Sequence, residues 1–257
     1  MLLENRVAII TGGSMGIGKG IALKFAEEGC SIAIIGRTDR GKKALTDITE
    51  KGYKAMFVQC DISDSNQVND MVNQVINKLG KVDILVNNAA LAATPKPVTD
   101  ISDEEWATIL SVNLTGQFFC ARAVLPYMIE KKYGKIINIS SLAAVAPLAA
   151  EAHYSAAKAG LIGLTIDMAF ELAQYNICVN AIIPGITDTE ALDTVIPPGQ
   201  DKHDFLSDQI KNVVPFQRMG TPQDVAGVAL FFASELSGFV TGDRVIVAGG
   251  SPLMPIE

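Results

Sequence analysis

Short apolar runs alternate with longer helical stretches along almost the whole chain. The runs are mostly continuous rather than alternating, as expected for parallel strands that are covered on both faces. The predicted strands are Val7–Ile10, Ser31–Ile35, Ala55–Gln59, Ile84–Val86, Lys135–Ile139, Cys178–Ile183 and Arg244–Ala248. The pattern therefore predicts seven parallel strands.

Helical segments lie between these strands, and several of their ends carry recognisable signals. Asp64 and Ser102 stand where N-caps belong, and Gly29, Gly52 and Gly80 stand where helices should stop. The predicted helices are Ile17–Glu28, Gly41–Lys51, Ser65–Leu79, Asp103–Glu130, Tyr154–Gln174 and Gln223–Ala233. This β-α-β order predicts an α/β fold: one Rossmann-type domain over residues 1–257, with a doubly wound parallel seven-stranded sheet and helices on both faces.

One stretch, Pro184–Gly220, breaks this order and includes the irregular run Pro197–Gln200. A long irregular insert in a compact domain is typically a functional loop. We therefore predict a substrate lid over about residues 186–220.

Composition narrows the function classes. The 257 residues are 49% hydrophobic with a formal net charge of −7 and no Lys/Arg-rich block, so nucleic acid is not an expected partner. We expect neither a signal peptide, because a strand-like run begins at Arg6, nor a membrane-spanning segment.

Four scattered cysteines, without C-x-x-C spacing, and only two histidines, His153 and His203, indicate reduced core thiols and no metal site. The predicted location is cytoplasmic. We expect His153 to be a pocket-wall or surface residue.

The first strand runs into a glycine-rich turn, Thr11–Gly18, followed by a helix. Such a turn lets the backbone approach a pyrophosphate closely, and the helix N-terminus supplies N–H groups and a positive dipole end. Three residues separate Gly12 from Gly16, unlike the usual dinucleotide fingerprint. The turn predicts a dinucleotide site.

The end of the second strand bears on the choice of cofactor. It reads Gly36-Arg37-Thr38, with no carboxylate before Asp39 to hold a ribose 2′-hydroxyl. A 2′-phosphate would fit against Arg37, helped by Thr38 or Arg40, whereas Met15 adds no basic contact. We predict NADP(H) over NAD(H); the alternative is that Arg37 is a solvated strand-end arginine.

Tyr154 and Lys158 lie four residues apart, so a helix places both side chains on one face. A phenol has an ordinary pKa near ~10, and a neighbouring ammonium and a cationic cofactor favour the phenolate. The pair is a candidate for general acid/base work.

Taken in order, the motifs of this chain resemble those of the short-chain dehydrogenase/reductase superfamily, in the single-domain branch that includes the 3-oxoacyl carrier-protein reductases. The resemblance covers essentially the whole chain. The motifs are Thr11–Gly18, Asp61, Asn87–Ala90, Asn113 within Ser111–Leu114, Ser140–Ser141, the Tyr154/Lys158 pair and Pro184–Thr189.

The resemblance implies four catalytic residues. Tyr154 would be the general acid/base, and Lys158 would bind the nicotinamide ribose and lower the tyrosine pKa. The family places its serine thirteen residues before the tyrosine, which selects Ser141 to hydrogen-bond the substrate oxygen. Asn113 would hold a water in a proton relay that leads to Lys158.

For the cofactor, the resemblance implies that Asp61 and Ile62 contact the adenine, Asn88 the adenosine ribose region, and Ile186 and Thr189 the carboxamide. The full predicted cofactor set is Gly12, Ser14, Met15, Gly16, Ile17, Gly18, Arg37, Thr38, Asp61, Ile62, Asn88, Ala89, Tyr154, Lys158, Pro184, Gly185, Ile186 and Thr189.

Three positions depart from the family pattern. Ala90 replaces a usual glycine, Ala248 stands where an acidic residue is common, and Tyr175 replaces one of two basic residues expected to flank the entrance of carrier-protein reductases. Lys132 can fill the other basic position. The replacement by Tyr175 weakens the case for a substrate carried on acyl carrier protein.

The expected substrate is a small-molecule, moderately apolar ketone or secondary alcohol, because the predicted pocket segments are rich in Ala, Leu and Pro. These segments are Leu91–Thr94, Leu142–Ala143, Pro147–His153 and the lid from Glu190 onward, where Asp201–Asp204 could instead select a polar substrate.

The leading interpretation is an NADPH-dependent carbonyl reductase. The alternatives are an NAD-dependent secondary-alcohol, polyol or sterol dehydrogenase and a non-catalytic dinucleotide-binding protein. By resemblance we expect a homotetramer packed through Asp103–Glu130, Tyr154–Gln174 and Arg244–Ala248, with the tail Ser251–Ile256 able to close an interface.

Overall fold

The structure, a computed structural model, describes residues 1–146, 150–194 and 201–251. One sheet of seven parallel strands runs in the order β3-β2-β1-β4-β5-β6-β7. The strands are β1 (Val7–Thr11), β2 (Ser31–Gly36), β3 (Ala55–Gln59), β4 (Ile84–Asn87), β5 (Gly134–Ile139), β6 (Ile177–Pro184) and β7 (Arg244–Val247). The predicted seven-stranded parallel sheet is confirmed.

Helices cover both faces of this sheet. They are α1 (Gly16–Glu27), α2 (Arg40–Thr49), α3 (Ser65–Leu79), α4 (Asp103–Leu110), α5 (Gly116–Lys131), α6 (Ala152–Leu172), α7 (Lys202–Val213) and α8 (Pro222–Ala233). Successive side chains of each continuous apolar run point to opposite faces of the sheet. Ile9 packs in the core that holds α3 and α5, whereas Ile10 packs in the core that holds α1 and α8.

The predicted helix signals do what their chemistry suggests. The Asp64 carboxylate accepts from the N–H groups of Asn66 and Gln67, and Ser102 forms a capping box with Glu105. The four cysteines are buried and unpaired, as predicted. Burial raises the pKa of each of the Cys30, Cys60 and Cys120 thiols.

The predicted helix Asp103–Glu130 is continuous, but its hydrogen-bond pattern changes in the middle. A π-helical segment, Ser111–Thr115, joins α4 to α5. Within the described residues, the combined span Asp103–Lys131 is the one helix long and apolar enough to cross a membrane, contrary to our expectation that no stretch would be. Of the most apolar part of this span, 44% is buried inside the domain.

The predicted lid is not wholly irregular, because α7 occupies part of it. Leu206, Ile210 and Val214 recur every four residues and pack with Ile186 and Leu192 in a small separate cluster. The polar residues around this stripe hid it from sequence reasoning. Of the segments expected to border the pocket or an interface, Pro147–Ala149, Pro197–Gln200 and the tail from Pro252 lie outside the described residues.

Candidate active site

A cavity of about 810 Å³ opens at the carboxyl ends of the strands, where the chain order of the sheet reverses between β1 and β4. Ligands of doubly wound sheets bind in this crevice. Of the predicted site residues, the cavity is lined by Gly12, Ser14, Met15, Gly16, Ile17, Arg37, Thr38, Asp61, Ile62, Asn88, Ala89, Ser141, Tyr154, Lys158, Pro184, Gly185, Ile186 and Thr189. Gly18 and Asn113 do not line it.

The glycine-rich turn is held against the end of β4. Asn88 Nδ2 donates to the Thr11 and Gly12 carbonyls at 2.9 and 3.2 Å, and a Cβ on Gly12 (φ 63°) would lie 2.9 Å from the Ala89 Cα. A Cβ on Gly18 would lie 2.3 Å from the Gly12 carbonyl oxygen. Gly18 therefore permits close packing of the turn on α1, which leaves the backbone around Gly12 facing the cavity.

Asn113 is fully buried in the π-helical segment, and its side chain is already occupied. Its Oδ1 accepts from the Leu91 N–H at 2.8 Å and its Nδ2 donates to the Leu91 carbonyl at 2.9 Å. Both ends of the amide thus hold Leu91, which lines the cavity. The predicted water relay through Asn113 stays a prediction.

Lys158 is the buried cation of the site, with 2% of its surface exposed. Its Nζ donates to the Ile139 carbonyl at the end of β5 at 2.8 Å, and the Ser140 hydroxyl donates to the Lys158 carbonyl at 2.9 Å. Within the described part of the chain, Lys158 forms no ion pair. Burial lowers the pKa of Lys158 from 10.5 to about 8, so its proton is easily lost.

Tyr154 lies beside Lys158, whose Nζ is 5.8 Å from the centre of the phenol ring. Burial raises the pKa of Tyr154, the Ser141 hydroxyl opposes this shift, and the charge of Glu151 adds to it. This shift describes the protein without cofactor; the predicted lowering of the phenol pKa by Lys158 together with a cationic cofactor stays a prediction.

The two serines after β5 have separate positions. The Ser140 hydroxyl donates to the Lys158 carbonyl of α6. The Ser141 hydroxyl, in contrast, is close enough to Tyr154 to lower the phenol pKa. Ser141 Oγ also accepts from the Ala143 N–H at 3.2 Å, which fixes the hydroxyl at the cavity wall.

The far end of the cavity carries two guanidinium groups. Arg37 Nη1 lies 4.0 Å from Asp61 Oδ2, and Arg40 Nη1 lies 3.8 Å from the Met15 sulfur. All four residues line the cavity together with Thr38. Two cations beside the end of β2 suit a phosphate more than a free ribose hydroxyl.

Sequence reasoning missed one contact at the glycine-rich turn. Glu190, at the start of the lid, accepts through Oε2 from the Gly16 N–H at 3.0 Å. A carboxylate at a helix N-terminus occupies the environment that suits a pyrophosphate. The sequence signal for this contact was the position of Glu190 directly after Thr189, a predicted cofactor contact. His153, by contrast, is buried and does not line the cavity.

Comparisons with known proteins cover nearly the whole chain. A family model described as enoyl-(acyl carrier protein) reductase matches residues 12–251. Over 98% of this chain and 99% of the relative, the sequence is 38% identical to the (2S)-[(R)-hydroxy(phenyl)methyl]succinyl-CoA dehydrogenase subunit BbsD of Thauera aromatica.

Another relative is the 3-oxoacyl-[acyl-carrier-protein] reductase FabG of Chlamydia pneumoniae, 36% identical over 96% of this chain and 97% of the relative. Among solved structures, an NAD+-bound xylitol dehydrogenase matches with a TM-score of 0.89 and 33% identity, over 97% of this chain and 100% of that one.

The contact between Glu190 and Gly16 yields a binding prediction. We expect Glu190→Gln to bind NADPH and inorganic pyrophosphate about three- to tenfold more tightly, because it removes a carboxylate worth roughly 1 kcal/mol at a helix N-terminus. Nicotinamide fluorescence and competition by pyrophosphate measure this. Glu130→Gln, remote from the site, is the charge-matched control; unchanged or weaker binding by Glu190→Gln would contradict the account.

Burial of Lys158 yields a stability prediction. Between about pH 8 and about pH 10 the unfolded lysine holds its proton while the folded one loses it, so the unfolded state binds more protons and stability rises with pH. Relative to Lys158→Met, the wild-type free energy of unfolding should rise by roughly 2 kcal/mol over this window. Denaturant titrations at both pH values measure it. Lys78→Met, at an exposed position, should keep the wild-type dependence, and parallel curves for wild type and Lys158→Met would refute it.

Proposed function

This chain belongs to the short-chain dehydrogenase/reductase superfamily, and we propose that it works as an NADP(H)-dependent oxidoreductase that interconverts a ketone and a secondary alcohol. Its homologues are NAD(P)-dependent enzymes that act on CH–OH and C=O groups, and so does this chain. The choice of NADP(H) and the residue roles below are the proposed part.

One observation carries the proposal. Tyr154, Ser141 and Lys158 lie at one end of a single cavity whose other end holds Arg37 and whose middle is the glycine-rich turn. An acid/base group, an oxygen-binding hydroxyl and a dinucleotide cradle in one crevice suit hydride transfer to a carbonyl.

The residues present fit a nicotinamide dinucleotide. The turn at Gly12 lies so close to the end of β4 that a Cβ on Gly12 would collide with Ala89. The N-terminus of α1 offers N–H groups to a pyrophosphate. Lys158 would hold the nicotinamide ribose, and Ile186 and Thr189 the carboxamide. When bound, the nicotinamide supplies or accepts the hydride.

The chain's own groups manage the proton. In the reductive direction Tyr154 donates its phenol proton to the substrate oxygen, and Ser141 donates a hydrogen bond to the same oxygen as charge develops there. Lys158, with a pKa of about 8, is able to return a proton to the phenolate. That Asn113 holds a water linking this relay to solvent stays a prediction from the resemblance, since both ends of its side-chain amide bond Leu91.

The alternative, an NAD-dependent secondary-alcohol, polyol or sterol dehydrogenase, has two supports. A structural relative is named as an NAD+-bound xylitol dehydrogenase, and Asp61 lies 4.0 Å from Arg37, where it partly neutralises that cation. Against it stands Arg40, the second guanidinium at this end of the cavity. Asp39 also lines the cavity but is paired with Lys42 at 3.0 Å, so we favour NADP(H) on the two guanidinium groups.

Other readings of the site are weaker. A non-catalytic dinucleotide-binding protein would not need Tyr154, Ser141 and Lys158 together. Enoyl reduction, named by the family model, is disfavoured because those relatives separate tyrosine and lysine by more than the four residues here. Tyr175 in place of a basic residue weakens the case for a substrate carried on acyl carrier protein.

We also propose a cytoplasmic location without nucleic-acid or membrane partners. The unpaired buried cysteines and the net charge of −7 support it.

The cofactor assignment is tested at Arg37. We expect wild-type protein to bind NADPH at least about tenfold more tightly than NADH, because a charge-assisted pair with a phosphate is strong, and Arg37→Asp to reverse the preference. Nicotinamide fluorescence gives both dissociation constants, with Lys51→Asp as the charge-matched control. Equal or tighter NADH binding by wild type would transfer the assignment to the NAD-dependent alternative.

We propose a homotetramer from two exposed apolar surfaces. The first lies on α5 and α6 and contains Phe118, Ile166 and Phe170, the last 89% exposed; the second, near β7, contains Phe239 and Ile246. The exposure of these large apolar side chains supports an interface at each place.

Light scattering should give the mass of four 27.3 kDa chains. Phe170→Lys should break the first interface, because it places a charge in an apolar contact, and so yield smaller assemblies. A monomeric wild type with full activity would refute the proposal.

A further inference from the structure

The amino ends of β5 and β6 hold a buried lysine and a buried cysteine that the proposed reaction does not use. Lys135 and Cys178 are partners in the parallel register of these strands, so their side chains leave the same face of the sheet. Lys135 is 3% exposed and Cys178 is 7% exposed. The pair lies at the opposite end of the strands from the cavity, and neither residue lines it.

The burial of Lys135 has no ordinary structural explanation. Lysine is almost never fully buried in a folded protein unless an anion is paired with it. Within the described part of the chain, Lys135 forms no ion pair, and its Nζ donates a single hydrogen bond, to Cys178 Sγ at 3.4 Å. Because a thiol sulfur is a weak acceptor, this bond does not offset the cost of burying an ammonium. The contact between nitrogen and sulfur therefore points to chemistry between the two groups.

Cys178 also differs from the other three cysteines. Its sulfur contacts an amine and lies 3.8 Å from the Gly238 carbonyl oxygen. Cys30, Cys60 and Cys120 pack in the two large apolar clusters instead, and none of them is more than 2% exposed. Peroxide reacts preferentially with a thiol that it can reach and that has a cation beside it. We therefore expect Cys178 to be the first of the four thiols to be oxidised.

We propose that Lys135 and Cys178 form a reversible modification site, at which hydrogen peroxide converts the pair into a sulfenamide. In the first step the Cys178 sulfur attacks one peroxide oxygen and the O–O bond breaks. The thiol S–H becomes S–OH and water leaves, so the sulfur is oxidised and the peroxide is reduced.

In the second step Lys135 Nζ, as the neutral amine left after its ammonium releases a proton to solvent, attacks the same sulfur. The S–N bond forms, the S–O bond breaks, and the hydroxyl leaves as water with a proton from the nitrogen. The sulfur keeps its oxidation state in this step, which is the known condensation of a sulfenic acid with nitrogen.

The 3.4 Å contact decides which reaction follows the first oxidation. Groups held in contact react as if each were present at very high concentration, so Nζ captures the sulfenic acid before a second peroxide arrives. Without the amine, a second peroxide would give sulfinic acid, which is irreversible for most proteins. Two molecules of a thiol reductant reopen the S–N bond, restore the thiol and the amine, and become a disulfide. The bond thus protects Cys178 reversibly.

Mass spectrometry of the wild-type protein tests this site without any variant. After exposure to hydrogen peroxide and proteolysis, the peptides that contain Lys135 and Cys178 should be joined, with the sum of their masses less two hydrogen atoms. Dithiothreitol should separate them. Iodoacetamide, added after unfolding, should still label the other three cysteines.

Variants of Lys135 separate the amine from the charge. Lys135→Met should give no link, and sulfinic acid at Cys178 should accumulate at least about tenfold more than in wild type, since no amine captures the sulfenic acid. Lys135→Arg keeps a cation but no primary amine and should also give no link. Lys131→Met, at an exposed position at the end of α5, is the matched control and should form the link as wild type does.

The inference does not depend on the proposed function, because its readouts need neither cofactor nor substrate. Sulfinic acid at Cys178 without a link in wild type would overturn it, as would a link whose mass includes an additional oxygen atom. Preferential oxidation of another cysteine, or equal amounts of sulfinic acid in wild type and Lys135→Met, would also contradict it.

Discussion

The burial of the Lys158 ammonium is the constraint on which the rest of the site depends. A buried cation is costly, and here the Ile139 carbonyl at the end of β5 offsets part of that cost without a carboxylate. The same bond, with that of Ser140, fastens α6 to the sheet. Tyr154, which lies on α6, is therefore held at a fixed distance from the strand ends that form the dinucleotide site. The packing of α6 on the sheet thus positions the candidate acid/base group.

Two charge arrangements in the cleft are expected to change when the cofactor binds. At the turn, Glu190 takes the Gly16 N–H. At the catalytic end, burial raises the pKa of the Tyr154 phenol, which opposes formation of the phenolate. Anionic phosphates compete with the first contact, and positive charge near the second favours the phenolate. We infer that Tyr154 transfers protons poorly until the cofactor binds.

Sequence reasoning reached the sheet and most of the cavity lining because continuous apolar runs and the glycine-rich turn report local constraints. It did not reach features that depend on tertiary packing. These are the close approach of Gly18 to the Gly12 carbonyl, the two hydrogen bonds between Asn113 and Leu91, and the apolar stripe of α7 that packs with Ile186 and Leu192. The left-handed Ala150 carries no sequence signal at all, since alanine normally avoids that conformation.

The most direct test of the central claim is the pKa of the Tyr154 phenol with and without NADP+, by ultraviolet difference titration against Tyr154→Phe. We expect a midpoint above the ordinary ~10 in the free protein and a midpoint below it when NADP+ is bound, with the drop reduced in Lys158→Met. A midpoint that NADP+ leaves unchanged would contradict the claim that burial and the cofactor together control the acid/base group.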